Sequence, residues 1–272
     1  MRKSLTINGV SIGYWERKGD GPCVVCCHGN SSSGDSFIGL IERLGPEVRG
    51  LAIDFYGHGA TAMPATDVCD VAGYSALIVA FVRQLDLGPY LLVGHSLGGH
   101  AVIEAIPNLP PGLMSAVCLS APPFNMETVV TVFRDPTEGL IFSEHLSLSE
   151  TTRIADTFVK LDNLSVGEYE AVTQRIRAAA GAVRKAIGAS LARGAFQDEV
   201  DICRRSSVPL LFIQGTEDPF IDIDCYKSLP GRERHQTVFI EGVRHSPHLE
   251  AIEEVASRVN ALAGHARERQ LK

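Results

Sequence analysis

Apolar residues in this chain gather into short dense runs, separated by longer segments in which they recur every three or four positions. Runs 23–27, 48–53, 89–93, 115–119, 208–214 and 237–240 are almost continuously apolar. Runs of that length, rich in Val, Ile, Leu and Cys, predict strands covered on both faces. Segments 35–44, 74–87, 99–106 and 249–263 carry the helical spacing, and two of them stop at Gly88-Pro89 and Pro107. Strands alternating with helices predict an α/β fold, a mostly parallel sheet flanked by helices. Ahead of it, 4–7 and 10–15 alternate about Asn8-Gly9, which predicts an opening hairpin.

Past Pro123 the dense runs stop, and they resume only at 208. Segments 126–134, 149–161, 166–180 and 183–195 predict short amphipathic helices instead. The expected organisation is a core of 1–123 and 207–272 with a helical cap, 124–206, inserted between two strands. The charged tail from Gly264 is expected to fray.

Composition narrows the class. The 272 residues are 45% hydrophobic, ample for one large core, and carry a net charge of −7 with no basic run. A nucleic-acid surface is therefore not expected. No apolar run is long enough to span a bilayer and no signal-peptide core follows Met1. The seven cysteines are irregularly spaced, and Cys23-x-x-Cys26 falls inside a strand without a second pair at metal spacing. A cytoplasmic protein is expected, without metal, cofactor or membrane partner, as a monomer or homodimer.

The chemistry centres on Gly94-His95-Ser96-Leu97-Gly98, which follows the run 89–93 and opens the helical segment 99–106. Strand, Gly-x-Ser-x-Gly, helix is the context of a nucleophile elbow. The turn is so sharp that side chains at 94 and 98 would strike the neighbouring strand and helix. A serine hydroxyl needs an imidazole to take its proton and a carboxylate to orient that imidazole. Two later strand ends supply them. Gly215-Thr216-Glu217-Asp218-Pro219 offers adjacent acids, of which Asp218, nearer the turn's tip, is preferred. Arg244-His245-Ser246-Pro247-His248 offers two bases, of which His245, the first after the strand, is preferred. The loop His28-Gly29-Asn30-Ser31-Ser32-Ser33-Gly34 ends another strand, and the backbone amides of Asn30 and Leu97 are the expected oxyanion donors. His58, in Tyr56-Gly57-His58-Gly59, reads as a turn residue. His95 and His100 read as pocket wall or packing. Candidate pocket residues are His95, Phe124, Met126, Phe133, Phe142, Phe158 and Phe220.

These marks together resemble the α/β-hydrolase superfamily over nearly the whole chain, with Glu250 five residues after His245 as a further likeness. A narrower resemblance rests on His28 to Gly34, Ser96-Leu97-Gly98-Gly99-His100, Ala121-Pro122-Pro123, Ile141-Phe142-Ser143-Glu144 and Glu217-Asp218-Pro219-Phe220. These stretches are similar to the metal-independent N-acyl-homoserine lactone hydrolases. That resemblance implies opening of an acylated homoserine lactone, with the acyl chain under the cap.

The expected function is a serine hydrolase that opens such a lactone, or a related ester, through an acyl-enzyme. A general carboxylesterase or a carbon–carbon bond hydrolase is the same-class alternative. A noncatalytic ligand receptor on the same fold is the rival of another class, separated from an enzyme by turnover.

Overall fold

The computed structural model describes residues 1–65, 68–229 and 234–270. Eight strands form one sheet in the order β1-β2-β4-β3-β5-β6-β7-β8. They are β1 (Arg2–Ile7), β2 (Val10–Arg17), β3 (Cys23–Cys27), β4 (Arg49–Ile53), β5 (Tyr90–His95), β6 (Leu113–Leu119), β7 (Leu210–Gly215) and β8 (Gln236–Ile240). Strand β2 runs antiparallel to β1 and β4, and the pairs from β4 to β8 are parallel. The opening hairpin turns at Asn8 and Gly9, both at positive φ, as a two-residue turn matched to strand twist requires.

The helices are α1 (Ile38–Glu42), α2 (Val71–Gln84), α3 (Leu97–Ala105), α4 (Val129–Val132), α5 (Leu148–Phe158), α6 (Val166–Ala178), α7 (Gly181–Ala192), α8 (Glu199–Arg205), α9 (Pro247–Glu250) and α10 (Ile252–Gln270). Alternate residues of the central strands face opposite layers. Val25, Cys27 and Leu92 pack with Tyr74, Phe81 and Val102 of α2 and α3. Val24, Cys26, Leu91 and Val93 pack with Leu40, Val255 and Val259 of α1 and α10. Both faces are covered, so these strands read as unbroken apolar runs.

Helices α4 to α8 lie between β6 and β7. Capping boxes at Ser147 with Glu150 and Ser165 with Glu168 start α5 and α6. The buried Arg184 guanidinium ties the insertion together, donating to the carbonyls of Ser143 at 2.8 Å, Ile176 at 3.1 Å and Ala179 at 3.0 Å. Helix α8 packs on α3 in the layer beside the sheet.

Three local expectations are corrected. The segment 126–134 is helical only over Val129–Val132, because Arg134 N–H donates to the Phe220 carbonyl at 2.8 Å and Phe133 bridges Ile221 in extended pairing. The closing helix is broken at Ala251 into α9 and α10. Helix α10 continues past Gly264 to Gln270 where fraying was expected.

Candidate active site

The site lies at the carboxyl ends of the parallel strands, where open α/β sheets present loops that hold ligands. Ser96 sits between β5 and α3 with φ 50° and ψ −121°, a strained backbone for a residue with a Cβ. Its N–H donates to the Leu119 carbonyl at 2.9 Å and its carbonyl accepts from Gly99 and His100. The turn is closed on both sides. A Cβ at position 98 would lie 2.3 Å from the Cys27 carbonyl oxygen, and one at position 94 would lie 2.5 Å from that of Gly98. Because backbone rather than a flexible side chain is in the way, Gly98→Ala is expected to cost about 2 kcal/mol or more of stability. A denaturant midpoint at or above that of the wild type would contradict this.

His245 Nε2 lies 2.9 Å from Ser96 Oγ, and His245 Nδ1 lies 2.8 Å from Asp218 Oδ2. An ionised carboxylate only accepts, so Nδ1 carries the hydrogen and the lone pair of Nε2 faces the serine hydroxyl. Asp218 also accepts from Gln214 Nε2 at 2.8 Å and from the Phe220 N–H at 2.9 Å. Burial pushes its carboxyl up, but the imidazole and these donors outweigh it and hold Asp218 below its ordinary range. Gln214 is itself held by the Tyr226 hydroxyl at 2.9 Å. Neither Gln214 nor Tyr226 stands out in the sequence, since a glutamine at a strand's end carries no motif.

Glu217 and His248, the alternatives the sequence leaves open, are not brought to Ser96. Glu217 points away, with its carboxylate 2.8 Å from Lys160 Nζ. His248 stacks on Phe37 at 4.5 Å, and neither of its ring nitrogens has a partner among the described residues. Burial holds its imidazole well below the ordinary value. Glu250 accepts from the Arg244 N–H at 3.0 Å and the Lys160 N–H at 2.9 Å, joining the His245 loop to the segment after α5.

Asn30 and Leu97 both line the cavity in front of Ser96. Neither backbone N–H has an acceptor among the described residues. Asn30 is pinned by its side chain, which donates to the Ile141 carbonyl at 3.0 Å. The loop behind it is shaped by two buried imidazoles, both kept neutral by burial. His58 Nε2 accepts from the Ser31 N–H at 3.3 Å, and His28 Nε2 accepts from the Phe55 N–H at 3.0 Å.

The cavity measures about 270 Å³ and opens onto Ser96 and His245. That lies near the lower end of small-ligand sites. Phe124, Phe133, Phe142 and Phe220 line it, together with Val129, Ile141, Ile187 and Leu191. Three expected pocket residues lie elsewhere. Met126 is 67% exposed, because it precedes the short α4 on the surface. Phe158 is buried behind the site, its ring 5.7 Å from that of His245. His95 is buried beneath the elbow, and its Nε2 lies 2.7 Å from the His245 carbonyl, where it donates. Among the described residues, no group of three or more His, Cys, Asp and Glu side chains is arranged to hold a metal ion.

A serine hydroxyl facing an oriented imidazole, on a strand-turn-helix elbow at the carboxyl edge of a parallel sheet, defines a hydrolase-type fold and site. The chain belongs to the alpha/beta hydrolase family, whose model matches residues 24–258. It is 27% identical over 234 residues to 2-(acetamidomethylene)succinate hydrolase of Mesorhizobium japonicum, covering 81% of this chain and 80% of that protein. It is 24% identical over 275 residues to (E)-2-((N-methylformamido)methylene)succinate hydrolase of Acinetobacter baylyi, covering 96% and 97%. In structure it is similar to a variant of the N-acyl homoserine lactonase AidH complexed with N-hexanoyl homoserine lactone. That likeness has a TM-score of 0.88 at 22% identity and covers 98% of this chain and 99% of the other. An esterase from Rhodococcus superposes with a TM-score of 0.81 at 19% identity, over 96% and 97% of the two chains.

Proposed function

We propose that this protein is a serine hydrolase that opens the lactone ring of N-acyl-homoserine lactones or closely related acylated esters. The observation that carries the reading is the hydrogen-bonded line from Asp218 through His245 to Ser96, ending at the apolar cavity. Ser96 attacks the carbonyl as His245 takes its proton. The Asn30 and Leu97 amides receive the oxyanion, each donor worth on the order of 3 kcal/mol. His245 then returns the proton to the leaving alkoxide, which in a lactone stays attached to the acyl group. It next draws a proton from water, which releases the acid and frees Ser96. Asp218 orients the ring throughout. The likeness to AidH supports a lactone, and the aromatic cavity supports an acyl chain.

No helix among the described residues is long and apolar enough to cross a membrane. Cys23, Cys26, Cys27, Cys118 and Cys203 are buried thiols, with burial pushing Cys23 up to about 12. That is compatible with a reducing cytoplasm, where we place the reaction.

The test is hydrolysis of N-acyl-homoserine lactones of several chain lengths, with and without a chelator, beside a nitrophenyl ester. Chelator-resistant lactone opening that outruns ester cleavage is expected. Fast ester cleavage with inert lactones would replace the lactonase by a general esterase. Tight lactone binding without product would replace the enzyme by a receptor.

A further inference from the structure

The acyl cavity has one feature that a pure hydrocarbon pocket would not need. His100 lies on its wall, one helical turn after Ser96 on α3, and its backbone N–H donates to the Ser96 carbonyl at 3.1 Å. Phe124 and Phe133 pack against its ring at centroid distances of 4.9 and 5.4 Å. Its Nδ1 is held by Glu199, 3.1 Å from Oε1 and 2.9 Å from Oε2. The Glu199 side chain is fully buried and also accepts from the Phe124 N–H at 3.4 Å. Nε2 has no partner among the described residues and is not sealed in, unlike both ring nitrogens of His248. An imidazole on the aromatic cavity wall is thus held by a buried carboxylate, with its second nitrogen unpartnered among the described residues.

Burial pushes Glu199 up to about 7. With the proton on the Glu199 carboxyl, that carboxyl donates to Nδ1 and the ring's own hydrogen is on Nε2. The wall then presents an N–H donor one helical turn beyond Ser96.

We propose that His100, oriented by Glu199, is a specificity-determining residue that donates a hydrogen bond to an amide carbonyl on the acid side of the substrate, a few bonds from the carbonyl Ser96 attacks. This deepens the serine-hydrolase reading and rests on it. The substrate class is acylamino esters and lactones rather than bare fatty-acyl esters. A neutral carbonyl fits better than a carboxylate, because the Arg134 guanidinium on this wall is already bound to Asp222 at 2.8 Å. A hydrocarbon chain in the same place would bury that donor without an acceptor.

The experiment uses the Ser96→Ala protein, so that binding is read without turnover. The probes are ethyl N-butanoylglycinate and ethyl heptanoate, whose acid chains have the same number of atoms. Adding His100→Phe is expected to weaken the amide ester about tenfold and leave the heptanoate unchanged or tighter. His100→Gln, which keeps an N–H donor, is expected to recover part of that loss. As a readout independent of variant folding, the His100 Nε2 resonance of ring-¹⁵N-labelled protein is expected to shift with the amide ester and not with the heptanoate. Equal weakening of both ligands, no weakening of either, or an unmoved resonance would overturn the assignment. Residual hydrolysis by the Ser96→Ala protein would instead overturn the nucleophile and leave the binding ratio to be read on its own.

Discussion

Ser96→Ala is expected to lower turnover of any ester or lactone substrate by between about four and six orders of magnitude, with the folded state kept. The hydroxyl is the only group lost. The hydrogen bonds that shape the elbow run through the Ser96 backbone and survive in alanine, as does its positive φ. Denaturant midpoints of the two proteins should therefore agree within about 0.5 kcal/mol, since no packed atom beyond the hydroxyl is removed. A variant that keeps wild-type turnover would remove Ser96 from the chemistry. Lost turnover together with an unfolded protein would mean that the elbow, not the nucleophile, had been tested.

Asp218→Asn should be the second-largest loss, on the order of 10⁴ in kcat. The amide nearly conserves volume, so packing is maintained. It no longer requires a hydrogen on His245 Nδ1, however. With its NH₂ turned toward Nδ1, the substituted amide stabilises the tautomer with hydrogen on Nε2, which has no lone pair for the serine proton. The substitution also removes the charge that stabilises the imidazolium formed during attack. Glu217→Gln is the matched control. Its carboxylate faces Lys160 at the surface, and turnover within about twofold of wild type is expected. Reversal of the two effects would make Glu217 the triad acid.

The elbow was legible where it depends on backbone sterics. Gly-x-Ser-x-Gly between an apolar run and a helix can be read because the glycines are required by carbonyl oxygens that a Cβ would strike. The strands were legible because both sheet faces are covered. The choice between Glu217 and Asp218 depends on how the turn after β7 aims two adjacent side chains, and the turn's direction comes from pairing with the β8 loop: Glu217 N–H donates to the Val243 carbonyl at 2.9 Å. Spacing alone does not contain that information.

The cap was legible as helical but not in detail. Position 126 looks like a pocket residue when 126–134 is taken as one amphipathic helix. Pairing of Phe133 and Arg134 with the loop after β7 shortens the helix and leaves Met126 outside. Helix α8 starts at an Asp198 N-cap that accepts from the Asp201 N–H at 2.9 Å. Its place is set by long-range contacts, including Gln197 N–H to Glu104 at 2.8 Å and His100 to Glu199. His100 reads as pocket wall or packing in the sequence, and its carboxylate partner is not legible, because the fold brings Glu199 to it from ninety-nine positions away.

Ser96, activated by His245, is expected to carry the acyl group. Intact-protein mass spectrometry after exposure to diethyl nitrophenyl phosphate tests it most directly. One diethylphosphoryl group per chain is expected, located at Ser96, with hydrolysis lost in proportion to labelling and no label on the Ser96→Ala protein. Label at another residue, or full hydrolysis by protein whose Ser96 is blocked, would contradict it.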